Sequence, residues 1–113
     1  MKRTESKFAS PMTTQTARHL GSAIRAARLA RNATQASMAE RARMSALTLL
    51  KIERGDVSVA FGSWLAAMEQ AGLLPLLRDV ANPDADRLGS ALRREQARVR
   101  ARPSGAGSAD FDF

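Results

Sequence analysis

The run from Thr34 to Gly55 constrains this chain more than any other stretch, because its helix signals come in pairs at close spacing. Thr34 is a side-chain cap for a helix opening at Gln35, and Ser45 is a cap for a second helix opening at Ala46. Gly55 closes the second helix. Only a few residues around Arg43 separate the two, so the pair must turn sharply. Ala39 is small enough to let them cross closely, and helical periodicity turns Met38, Leu49 and Ile52 inward. Gln35, Ala46, Leu47, Thr48 and Lys51 are left pointing outward.

Two short helices joined this tightly have the form of a helix-turn-helix DNA reader. The charge agrees with a polyanionic partner. The chain carries +7 at neutral pH, and the stretch 15–82 alone holds nine Lys and Arg against five Asp and Glu. Basic charge by itself suits RNA or a membrane surface equally well, so the helical pattern decides. With 113 residues and 44% hydrophobic content, the chain suits one small all-α domain of four or five helices, with no room for a second. There is no cysteine and a single histidine, His19, so neither a disulfide nor a metal site nor a cofactor is expected. One His, no Cys, no Tyr and no Gly-rich phosphate loop also argue against an enzyme. No run approaches the roughly 20 apolar residues that span a bilayer, and no signal-peptide core is visible. A cytoplasmic protein with no membrane contact, on the nucleoid when bound to DNA, is expected.

Along the chain, residues 1–14 lack periodicity and read as a flexible arm, followed by the folded domain over 15–82. The first helix spans Gln15 to Asn32, with Leu20, Ile24 and Ala27 on one face. After Gly55, the residues Phe61, Trp64, Leu65, Met68 and Ala71 form the clearest amphipathic stripe, which Gly72 caps. Pro75 starts a short helix over Leu76 to Ala81, ended by Asn82-Pro83. The run Leu73, Leu74, Leu76 and Leu77 is more apolar than so small a core needs, and with Trp64 it is the candidate seam of a homodimer or partner. Residues 83–113 read as a basic extension. Its Arg-rich stretch is a marginal helix interrupted by Gly89, followed by a Gly/Ser spacer and Asp110-Phe111-Asp112-Phe113.

Laid out this way, the chain resembles the Cro/phage-repressor (XRE-type) helix-turn-helix family over about Leu20 to Leu73. The matching residues are Leu20-Gly21, Ile24-Arg25, Arg28, Thr34-Gln35, Ala39, Ser45 and Ile52-Glu53-Arg54-Gly55. The resemblance implies a lambda-repressor-like fold, an ion pair between Arg28 and Glu53, and a phosphate contact from Gln35. It also places Ser45, Ala46, Leu47, Thr48 and Lys51 in the major groove, with Arg28 and Arg54 as further DNA contacts. Arg43 stands where the family usually has a turn glycine, Ala33 replaces a larger apolar residue, and helix three holds few polar base readers. Further on, Gly55-Asp56, Phe61-Gly62, Ala71-Gly72-Leu73-Leu74, Ala81-Asn82-Pro83-Asp84 and Gly89-Ser90-Ala91-Leu92 look like HipB-like antitoxins. That likeness implies a homodimer that binds its own operator and holds a HipA-like serine/threonine kinase toxin inactive. The alternative is a free-standing repressor of the same family.

Several residues keep two readings at this point. Arg28 either only braces helices or also faces a phosphate, and Trp64 is either core or interface. Leu50 is either covered by the fourth helix or exposed. The Arg run from Arg93 to Arg102 is a solvated tail, a phosphate contact or a dock for an acidic surface. Phe111 and Phe113 either end a disordered tail or anchor it on a kinase groove.

Overall fold

The computed structural model describes residues 8–101, and among these all regular structure is helical. Six α-helices occur: α1 Pro11–Ala30, α2 Gln35–Arg41, α3 Ala46–Glu53, α4 Phe61–Gln70, α5 Leu77–Ala81 and α6 Arg87–Ala101. Short 3-10 turns occupy Leu74–Leu76 and Pro83–Ala85. The count exceeds the four or five expected because the Arg-rich stretch forms a fifteen-residue helix. Gly89 does not interrupt it. Its N–H, in the first turn, bonds the Asp86 carboxylate at 3.0 Å, and a Cβ there would overlap that carboxylate. Phe111 and Phe113 lie outside the described residues. No helix of the described residues is long and apolar enough to cross a membrane.

Helix α1 begins at Pro11, inside the stretch expected to be an arm. Ser10 Oγ accepts from the Thr13 N–H at 3.1 Å, and Pro11 supplies the preset φ of a first helical residue. The same Ser/Thr capping starts α2 at Thr34 and α3 at Ser45, each accepting from the N–H three residues on at 3.0 Å.

One device ends each of the first four helices. Asn32, Arg43, Gly55 and Gly72 all have positive φ, at 54°, 59°, 82° and 75°. The N–H of the next residue then bonds a carbonyl in the last turn: Ala33 to Arg28, Met44 to Ala39, Asp56 to Lys51 and Leu73 to Met68. These are Schellman closures, which satisfy carbonyls that a helix end would leave bare. Two of the four fall on residues other than glycine. Asn tolerates this backbone region, whereas Arg gains nothing from its side chain there.

The chain divides into two compact units, up to Pro75 and from Leu76 on, so the division falls seven residues before the one read from Asn82-Pro83. In the first unit α3 packs against α1, α2 and α4. Ile24, Met38, Ala39, Leu49, Ile52, Trp64, Ala67, Met68 and Ala71 form its buried core. Phe61 belongs to the expected stripe but is 72% exposed, because it opens α4 ahead of the first turn that packs. Gly21 sets the crossing of α1 over α3: a Cβ there would overlap the carbonyl oxygen of Ile52 and lie 2.9 Å from that of Glu53. In the second unit α5 and α6 both pack on the turn Pro83–Ala85, where the Ser90 hydroxyl, buried, donates to the Pro83 carbonyl at 3.3 Å.

The left-handed backbone at Arg43 yields a test. Arg43→Gly should raise the unfolding free energy by about 1 kcal/mol, the rough cost of that conformation for a residue with a Cβ. Urea denaturation of the two proteins measures it, and an equal or lower midpoint for the glycine variant contradicts it.

Candidate nucleic-acid interface

Three helices meet at one carboxylate. Glu53, the last residue of α3, accepts from Arg28 Nε of α1 at 2.7 Å through Oε2 and from Arg28 Nη2 at 3.0 Å through Oε1. Gln35, the first residue of α2, donates its Nε2 to the same Oε1 at 3.0 Å. The remaining guanidinium nitrogen, Nη1, donates to the Ala33 carbonyl at 2.9 Å, which ties in the α1–α2 connection. Arg28 and Glu53 are both buried, and the paired geometry gives two parallel charge-assisted bonds. Burial pushes the Glu53 carboxyl up. Hydrogen bonds from Arg28 and Gln35, with the positive fields of Arg28 and Arg25, outweigh it and hold the group below its ordinary value. Arg28 is shifted further up, first by its hydrogen bond to Glu53, against the opposing effect of burial.

This network bears on two of the expected DNA contacts. Arg28 is not available to a phosphate, because its guanidinium is buried and bonded to Glu53 and Ala33. Gln35 gives one Nε2 hydrogen to Glu53 and is half-exposed, with its second N–H and its Oε1 outside this network. No local spacing could reveal that bond, since the two residues lie eighteen apart and meet only once α2 and α3 have packed.

The opposite side of α3 is open. Lys51 and Arg54 are exposed there and Leu47 is 60% exposed, while Ala46 is exposed because it opens the helix, on the face that Leu49 and Glu53 bury further along. Leu50 is half-buried. Ser45 and Thr48 are less free than their positions suggest, because their hydroxyls bond one another at 2.9 Å while Ser45 Oγ also caps the helix. Lys51 lies close enough to Asp56 to help lower the Asp56 carboxyl, although the two bonds from Ser58, through Oγ at 2.6 Å and N–H at 2.8 Å, do more.

Trp64 is not part of any exposed seam. It is buried, and its indole N–H donates to the Asp56 carbonyl at 3.2 Å, so it holds the α3–α4 loop against α4. Of the leucines named with it, Leu73, Leu74 and Leu77 are half-buried and Leu76 is exposed. Among the described residues no group of three or more acidic or histidine side chains is placed to hold a metal.

Breaking the Arg28–Glu53 pair from one side leaves a buried charge without its partner, which costs roughly 3–5 kcal/mol. Glu53→Gln, Glu53→Leu and Arg28→Met should each lower stability by about that much, whereas Arg28→Met combined with Glu53→Leu should cost less than the sum of those two single substitutions. Because the folded-state value of Glu53 lies below its unfolded value, its contribution is complete above the ordinary carboxylate range and is lost as pH falls through the folded value. Asp56 acts in the same direction. Stability of the wild type should therefore fall on acidification, with a shallower acid limb in Glu53→Gln; parallel pH profiles for the two would contradict the assignment. Compared with known proteins, the chain matches no protein-family model, no curated protein and no solved structure.

Proposed function

We propose that this chain binds double-stranded DNA through the outward face of α3, as a helix-turn-helix repressor of the lambda-repressor-like type. The observation that carries the proposal is the division of labour within α3. Leu49, Ile52 and Glu53 are committed to the interior, while Leu47, Lys51 and the capping residue Arg54 stand clear on the other side and Ala46 is exposed at the helix's N-terminal end. A helix fixed to three neighbours on one face and open on the other can enter a major groove without rearranging its own packing. Lys51 is the open face's donor for a guanine edge, and Ala46 and Leu47 offer methyl contacts to thymine. Arg54 supplies a phosphate contact, which positions the domain without selecting sequence.

The likeness of the C-terminal half to HipB-like antitoxins extends the proposal: the protein represses its own operon and holds a HipA-like kinase inactive. A free-standing repressor is the alternative, and a kinase gene beside this one, whose product co-purifies with the chain, separates the two.

In a mobility-shift series on the DNA upstream of its own reading frame, Lys51→Ala should weaken binding by roughly 1–3 kcal/mol and relax preference at one base position. Arg54→Ala should weaken all sequences alike and lower the salt slope by about one. Wild-type binding by both variants would exclude α3 as the reader. Two half-sites about 34–36 Å apart require a symmetric dimer, so sedimentation should find a homodimer on the operator, and one monomer per operator would exclude that arrangement.

A further inference from the structure

Among the described residues, helix α6 presents an unpartnered face with two chemistries on it. Leu88, Leu92 and Val99 are 71%, 52% and 61% exposed, and at 100° per residue they fall within about 40° of one another. Ser90, which anchors the helix on the turn Pro83–Ala85, lies on the opposite side, so this anchoring does not cover the apolar stripe. Arginines line both flanks, roughly a third of a turn away: Arg87, Arg94 and Arg98 on one side, Arg93 and Arg100 on the other. Arg93 is held in place by the Pro83 carbonyl and the Ser90 hydroxyl, and Arg98 pairs with Glu95. A ligand that satisfies this face must combine apolar bulk along its centre with negative charge along both edges.

Most occupants offer one half of that. A second copy of α6 would cover the stripe but bring five arginines and one glutamate against the same set. Nucleic-acid phosphates would satisfy the arginines and leave the leucines in water. A membrane surface asks for a larger apolar face than three residues with Glu95 on their border.

The chain itself contains a segment with both halves. Asp110-Phe111-Asp112-Phe113 alternates carboxylates with aromatic rings, and residues 104–113 contain two acidic side chains and no basic one. We propose that this segment docks in cis on the Leu88–Leu92–Val99 face of α6, its rings on the apolar stripe and its carboxylates toward the flanking arginines. Eight residues, 102–109, separate it from the end of α6. Fully extended they span at most about 26–29 Å, against about 14 Å along the helix from Ala101 back to Leu92, so the chain reaches without unwinding α6. The tether places the segment at an effective concentration on the order of millimolar, which makes a weak contact sufficient. Docking would neutralise arginines that otherwise add sequence-independent attraction to polyanions.

The test is nuclear magnetic resonance on the full chain. Ring protons of Phe111 and Phe113 should show cross-relaxation to the methyls of Leu92 and Val99, and the amides of residues 88–100 should shift in Phe111→Ser/Phe113→Ser. In Asp110→Asn/Asp112→Asn the same shifts should appear in part. These substitutions lie outside the described residues, so the spectrum of residues 8–101 reports whether the fold is intact. Absence of ring-to-methyl contacts, with α6 amides unchanged in both variants, overturns the proposal. Contacts seen only between differently labelled chains, growing with concentration, would assign the occupant to a second copy and overturn docking in cis. Movement of α6 amides on adding duplex DNA or anionic vesicles, with no effect of the phenylalanine substitutions, would give the face to those partners instead.

Discussion

The carboxylate of Glu53 is the point on which the first unit depends. It ends α3, receives a bidentate arginine from α1 and an amide from the first residue of α2, and so fixes three helix directions at once. Desolvating a lone carboxylate or guanidinium would be prohibitive, so neither partner tolerates the other's absence. The bonding is also economical in geometry. Arg28 spends one nitrogen on the Ala33 carbonyl, beside the positive-φ turn at Asn32, and thereby ties the α1–α2 connection to the same centre. Gly21 completes the arrangement from the other side, because the absence of a Cβ lets α1 approach the carbonyls of Ile52 and Glu53 at the end of α3.

Around that centre the helices are kept short by paired local signals. Hydroxyl caps start three of the first four, and left-handed closures end all four. Helices α2, α3 and α4, seven to ten residues long, are marginal alone, and their stability comes from burying one face each. The consequence for α3 is a division between a packed face and an open one. Its interior side carries Leu49 and Ile52, both fully buried, while Leu47 and Lys51 on the other side face water. The proposed contact with DNA draws on residues that the fold does not need.

The second unit obeys a different rule. Its helices are organised by polar contacts around Pro83–Ala85, namely the Asp86 cap on Gly89 and the Ser90 and Arg93 bonds to the Pro83 carbonyl, instead of by an apolar core. Leu76, Val80, Leu88, Leu92 and Val99 are consequently left exposed. That surplus of apolar surface, bordered by arginines, separates this unit in character from the first.

The sequence by itself determined the helical class, the two-helix unit with its caps at Thr34 and Ser45, the closures at Gly55 and Gly72, the inward set Met38, Leu49 and Ile52, and the small Ala39 at the helix crossing. These follow from hydrogen bonds and periodicities that act within a few residues. It also marked α6 only as marginal, because the Asp86 cap that turns Gly89 into a fitting first-turn residue is seen once the backbone is in place. Tertiary structure alone decided what the polar side chains do. Gln35 points to Glu53 across eighteen residues, Arg28 is consumed by burial, Trp64 turns into the core to meet the Asp56 carbonyl, and Phe61 on the same helix stays in water. Each depends on distances between elements that helical spacing cannot encode: periodicity sets the face on which a side chain stands, and only packing sets what that face meets.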